Sequence, residues 1–155
     1  MSTTETCFCG AVQLAFSIEG DDLVNSFVCN CLDCRKLTAS MFASNFTIRD
    51  ASLKYVRGQD KIKTFAMTKT IATGNTMTNY FCSVCGSLMY RISSGWPGVA
   101  IMRIGQVDDL TLHETTLKPQ VETFTKSRVA WCKGAEGAEE YFGNYYAGET
   151  ERSKL

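Results

Sequence analysis

The sequence predicts a mainly-β fold in a single domain. Three observations carry this expectation. Short segments alternate apolar and polar residues, turn-forming residues separate them at regular intervals, and only two prolines occur in 155 residues. Alternation of period two puts every second side chain on the same sheet face, which suits a strand buried on one side. A chain of this length can enclose one core. No repeat, linker or low-complexity stretch divides it. Residues 1–148 are therefore read as one domain and residues 149–155 as a polar tail.

In chain order, Cys7-Phe8-Cys9-Gly10 opens the domain, and Val12 to Ile18 alternates as a half-buried strand. Gly20-Asp21-Asp22 is a turn, and Leu23 to Val28 is a strand leading into Cys29-Asn30-Cys31-Leu32-Asp33-Cys34-Arg35-Lys36. Thr38 to Phe42 is expected to form a short helical turn. Phe46 to Ile48 and Leu53 to Val56 read as short strands, and Arg57-Gly58-Gln59-Asp60 as a turn. Ile62 to Met67 alternates again, and Thr76 to Phe81 runs into Cys82-Ser83-Val84-Cys85-Gly86. Leu88 to Ile92, Val99 to Ile104 and Val121 to Phe124 are the remaining strands. Between them lie a loop at Ser93 to Gly98 and a turn at Gly105 to Asp109. Val129-Ala130-Trp131 is apolar, and Gly134 to Tyr146 is expected as a terminal helix or an aromatic-rich coil.

Charge excludes some partners. Lys and Arg together number 16, as do Asp and Glu, so no basic surface for nucleic acid or membrane is expected. No apolar run has the length of a membrane span. Met1 to Thr6 lacks the basic and apolar regions of a secretory signal. Without that route the eight cysteines lose the compartment in which disulfides persist, and the Asn45-Phe46-Thr47 sequon is not expected to carry a glycan. The far end carries an address instead. Ser153-Lys154-Leu155 is the tripeptide that the peroxisomal import receptor reads at a free C-terminus, so peroxisomal localisation is expected.

The cysteines cluster as C-x-C, C-x-C-x-x-C and C-x-x-C, with Cys132 apart. Thiolates this close repel one another unless a cation holds them, and Zn²⁺ is the usual one. Cys7, Cys9, Cys82 and Cys85 can close one tetrahedral site. Cys29, Cys31 and Cys34 then supply three ligands and leave a position open. Such a site is catalytic if the position stays free and structural if another group closes it; spacing alone leaves both readings standing. Cys132 fits a buried structural thiol better than a ligand, and His113, the only histidine, is left out of the metal sites.

This arrangement resembles the glutathione-dependent formaldehyde-activating enzyme family, which also includes centromere protein V. The resemblance rests on Cys7-Phe8-Cys9-Gly10-Ala11-Val12, on Cys29 to Arg35 and on Phe81 to Ser87. Further likeness lies at Gly105 to Asp109 and at Pro119, Glu122, Arg128 and Trp131. It implies an Mss4-like β-tent with two zinc ions per chain: a structural one on Cys7, Cys9, Cys82 and Cys85, and a catalytic one on Cys29, Cys31 and Cys34. Asn30 stands where many members have serine or histidine, and Ala39 stands near a common glycine. Both adjoin the three-cysteine loop and bear on substrate choice.

Three functions fit. The first is a zinc-dependent carbon–sulfur lyase or adduct-forming enzyme acting on a glutathione-type thiol, with Arg35 and Lys36 holding a ligand carboxylate. The second is a zinc Lewis-acid lyase acting on a small metabolite without glutathione, by dehydration, decarboxylation or ring opening. The third is a non-catalytic zinc binding module, since fold alone does not decide function. Glu122 and Asp33 are the candidate acid–base groups. Tyr141, Phe142, Tyr145 and Tyr146 could line a pocket, or could serve as core or homodimer contacts.

Overall fold

A computed structural model describes residues 2–71 and 73–145. Tyr146 and the tail, including Ser153, Lys154 and Leu155, lie outside the described residues. The strands are β1 (Thr3–Thr6), β2 (Gln13–Phe16), β3 (Leu23–Cys29), β4 (Ala43–Arg49), β5 (Lys54–Arg57), β6 (Ile62–Met67), β7 (Met77–Cys82), β8 (Leu88–Ser93), β9 (Val99–Arg103), β10 (Val121–Thr123) and β11 (Glu139–Glu140). Two short helices, α1 (Leu32–Thr38) and α2 (Thr111–Glu114), interrupt them. The mainly-β expectation holds.

The strands form two sheets. One is three-stranded in the order β1-β2-β5; the other is eight-stranded in the order β11-β10-β3-β4-β9-β8-β7-β6. Most pairings are antiparallel, but β10 runs parallel to both β3 and β11. The core lies between the sheets. Val12, Leu14 and Phe16 come from the β2 segment, Phe46 and Ile48 from β4, Met89 and Tyr90 from β8, and Ala100 and Met102 from β9. Phe16 and Phe46 meet with ring centroids 5.5 Å apart. Tyr80 stacks on Tyr90 at 4.3 Å, and the Tyr55 and Tyr90 hydroxyls share a hydrogen bond of 2.7 Å.

Residues directly opposite in a sheet share a face. The register therefore places Asn25, Thr47, Ile101, Arg91 and Asn79 in one cross-strand row on the face away from that core. Phe27, Asn45 and Arg103 make the next row, and Cys29 and Ala43 the next. Thr47, Asn45, Arg91, Arg103 and Asn79 are all buried, so the second face is polar and still shielded from water.

Two local readings need correction. The helix in this region starts at Leu32, inside the cysteine loop, and ends at Thr38; the Thr38 to Phe42 stretch is a bend rather than a helical turn. Thr3–Thr6, passed over in the sequence, is a strand that pairs with Gln13–Phe16. Of the two alternatives for the segment from Gly134, the coil is found: Gly134 to Tyr145 forms turns around the short β11 strand. Its glycine is needed there: at φ +84°, a Cβ on Gly134 would sit 2.4 Å from a Glu122 carboxylate oxygen.

Candidate metal centres

Two turns, each closed by a glycine N–H, build the first cluster. Gly10 N–H donates to Cys7 O (2.9 Å), and Gly86 N–H donates to Cys82 O (2.7 Å). Each glycine has positive φ, +79° and +78°, which an L side chain rarely adopts. The sulfurs of Cys7, Cys9, Cys82 and Cys85 all lie within 4.8 Å of one another. Cys7 and Cys9 are 3.6 Å apart, and Cys9 and Cys82 are 3.9 Å apart. Tetrahedral zinc with bonds of about 2.3 Å would place its sulfurs about 3.8 Å apart. The donor set thus fits a closed zinc site. The Ser87 hydroxyl, 3.2 Å from Cys85 Sγ, helps pull that thiol down to about 6, favouring the thiolate a metal needs. Arg57 Nε donates to Gly10 O (2.8 Å), fixing the first turn against β5.

The second cluster is Cys29, Cys31 and Cys34, whose sulfurs also lie within 4.8 Å of one another. Cys29 ends β3. Cys31 caps α1: its sulfur accepts from Cys34 N–H at 3.4 Å. That cap brings Cys34, in the first helical turn, back over Cys31. Thr38 Oγ1 donates to Cys34 O (2.8 Å) and steadies the helix end. Ala39 then takes the left-handed conformation at φ +51°, which costs roughly 1 kcal/mol relative to glycine. Ala39 is the departure noted near a common glycine, and its backbone adopts the conformation glycine favours. Among the described residues, no fourth cysteine, histidine or carboxylate joins this cluster, and Cys132 belongs to neither group.

Protons are shared unequally over the three thiols. Hydrogen bonds from Cys29 and Cys34 pull Cys31 well below the usual thiol range, whereas Cys29 is pushed up by its bonds to Cys31 and Cys34 and by burial. Cys31 is the first to ionise. Arg91 Nη1 lies 3.9 Å from Cys34 Sγ and adds positive charge beside the sulfurs. Ala43 packs with Cys29 and Cys34, and the half-buried Phe27 and Phe124 pack against them.

β10 supports the loop from beneath. Asn30 N–H donates to Thr123 O (3.1 Å), and Asn30 Nδ2 donates to Thr123 O (3.1 Å) and Glu122 Oε1 (2.9 Å). Glu122 is fully buried, and its other oxygen accepts from Ala135 N–H at 2.9 Å. Arg128 Nη1 sits 3.3 Å from Glu122 and 2.6 Å from Glu140. Both Glu122 oxygens are thus engaged, Oε1 with Asn30 in the loop that carries Cys29 and Cys31 and Oε2 with Ala135, and this candidate acid–base group is a positioning residue. Asp33 accepts from the Thr70 hydroxyl (2.7 Å), joining α1 to the β6–β7 connection. Arg35 is half-buried and donates to Ser127 O (3.4 Å); Lys36 is exposed. Tyr141 is buried and meets Tyr145 edge-on at 5.0 Å, while Lys126 lies 5.7 Å from the Phe142 ring centre.

The model of the family described as "Glutathione-dependent formaldehyde-activating enzyme" matches residues 2–127, a span containing both clusters and Glu122. The chain belongs to this family. Comparison with curated proteins gives no match. A crystal structure of a Rhodobacter sphaeroides protein, Northeast Structural Genomics target RhR83, aligns with a TM-score of 0.54 at 22% identity. The alignment covers 69% of this chain and 89% of that one, and shows a shared fold. As a member of the glutathione-dependent formaldehyde-activating family, the chain has two cysteine clusters able to hold metal. Arg91, Arg103 and Asn45, buried beside the triad, were not singled out in the sequence. Their spacing carries no signal: Asn45 stands beside Ser44 and near Thr47, and Arg91 and Arg103 are single charges in strands that are otherwise largely apolar.

Proposed function

We propose that this protein makes or breaks a carbon–sulfur bond in a glutathione-type thiol adduct, using zinc held by Cys29, Cys31 and Cys34. The observation that carries the reading is a cluster of three sulfurs with no fourth protein ligand among the described residues. An all-sulfur donor set suits zinc, and family membership supports the glutathione-type substrate. When bound, the ion supplies a Lewis acid that stabilises negative charge on a substrate sulfur. The chain's residues prepare the site for that role. Cys31 gives up its proton most readily, Arg91 offsets the charge of the sulfurs, and Phe27 and Phe124 pack against the cluster. Glu122 and Asn30 hold the loop in place.

The zinc on Cys7, Cys9, Cys82 and Cys85, a stoichiometry of two zinc ions and an Mss4-like β-tent belong to the same proposal. So does delivery to the peroxisome by Ser153-Lys154-Leu155, which a fluorescent fusion ending in or lacking Leu155 would test. The deciding assay is turnover of S-hydroxymethylglutathione by zinc-loaded protein and by Cys31→Ser. Turnover lost in the variant supports the proposal. Turnover only of thiol-free substrates assigns the site to a Lewis-acid lyase, and none on either class favours a binding module.

A further inference from the structure

Arg91 stands within the large sheet, on β8, opposite Asn79 of β7 and Ile101 of β9. Neither neighbour carries a charge. The side chain is 7% exposed, and among the described residues no carboxylate pairs with it. A guanidinium keeps its charge at any working pH, and burying it without a counter-charge is costly. The group it meets is a sulfur: Nη1 donates to Cys34 Sγ at 3.9 Å. Arg103, one row further along, gives its Nη1 to Asn45 Oδ1 instead. The counter-charge for Arg91 is therefore the triad, once its sulfurs are thiolates.

A charge count shows what this pairing does. A zinc ion brings two positive charges, and the sulfurs of Cys29, Cys31 and Cys34 bring three negative ones. The filled triad is left with one net negative charge, in surroundings where Cys29 and Cys34 are both buried. A further anion entering the open position would be repelled, and more strongly there than in water. The Arg91 charge cancels that excess. Its bond to Cys34 also draws electron density from the sulfur, so the ion keeps more of its Lewis acidity. Both effects act through Cys34 and need no contact between Arg91 and the incoming ligand.

We propose that Arg91 is a positioning residue of the reactive centre: acting through Cys34, it balances the charge of the three thiolates so that the open position takes a fourth sulfur as an anion. A ligand sulfur that can ionise is then favoured over the thioether of the same skeleton. This deepens the function proposed above and rests on its reading of the triad as a zinc-holding reactive centre.

The test titrates glutathione and S-methylglutathione calorimetrically into zinc-loaded protein. The methyl group prevents the sulfur from ionising and leaves the rest of the ligand unchanged. Arg91→Gln is expected to weaken glutathione binding about 10–100-fold, the range of one bond to a charged group, with S-methylglutathione affinity and zinc content unchanged. Arg91→Lys, which keeps the charge, is expected to retain most of the glutathione affinity. Arg91→Met is a second neutral variant and gives the reading if the glutamine protein does not fold. Cobalt-loaded protein adds a signature that a packing role would not move. Losing the donor leaves Cys34 richer in electrons, so the thiolate-to-metal charge-transfer band of a neutral variant is expected at longer wavelength, with Arg91→Lys close to wild type. An unmoved band, equal losses for both ligands, or wild-type glutathione affinity in the neutral variants overturns this proposal alone. No glutathione binding by wild type overturns it together with the reading of the triad.

Discussion

Replacing Glu122 by glutamine tests whether the triad is held from beneath. The side-chain volume is nearly unchanged, so no cavity opens. The change lies in the donors. Glu122 Oε1 accepts from Asn30 Nδ2, and Oε2 accepts from Ala135 N–H, both at 2.9 Å. A glutamine amide has one acceptor atom and one donor atom, so either orientation turns an NH₂ toward another donor. One hydrogen bond to a charged acceptor disappears, worth about 1.5–3 kcal/mol, and Arg128 keeps only Glu140 as its carboxylate partner. The expected loss is about 2–4 kcal/mol, read as a fall in the urea midpoint at constant slope. Zinc competition with a chromophoric chelator should show the triad weakened by about 10–100-fold while the four-cysteine site is unchanged. A stability loss below about 0.5 kcal/mol, with both affinities at wild-type levels, would refute the positioning argument.

Cys132→Ala should leave the zinc count of the purified protein unchanged, because Cys132 belongs to neither cluster; loss of one equivalent would show that it closes the triad. Asp108 receives hydrogen bonds from Thr4 Oγ1 (2.7 Å), Thr6 Oγ1 (2.8 Å) and Gln13 Nε2 (3.2 Å). Partial burial raises its carboxyl, but these bonds outweigh it and hold the group below its ordinary 3.8. The contribution of Asp108 is therefore full above about pH 4 and fades as pH falls through the folded-state value. Asp108→Asn should lower stability at pH 7 by no more than about 1 kcal/mol, given the solvent exposure, and should flatten the acid limb of the stability curve.

Much of the site was legible because cysteine spacing is a geometric instruction. Two residues between Cys82 and Cys85 bring both sulfurs to one side of a turn, and Gly86 supplies the backbone reversal. The strand expected at Ile62–Met67 is found with the same bounds. The helix was hidden because its cap is a cysteine sulfur, where serine, threonine, asparagine or aspartate would ordinarily signal a start. Thr3–Thr6 escaped because its buried member is Glu5, a charge at the position where alternation expects an apolar side chain. Arg91 and Arg103 were missed for the opposite reason. Each sits on the face away from the core between the sheets, where a strand residue would ordinarily meet solvent, but the second face of this sheet is itself covered. One sequence shows the phase of a strand but not what lies above either face.

The parallel pairing of β10 with β3 has a consequence for synthesis. Asn30 and Glu122 are 92 positions apart. A ribosome releases the three triad cysteines long before the strand that steadies them exists. The four-cysteine cluster, by contrast, has all its ligands once Cys85 has emerged. The four-cysteine cluster can therefore be complete before the strand that steadies the triad loop has been made. In the interval the nascent chain carries three unsupported thiols, and whatever metal or oxidant reaches them first competes with their final occupant.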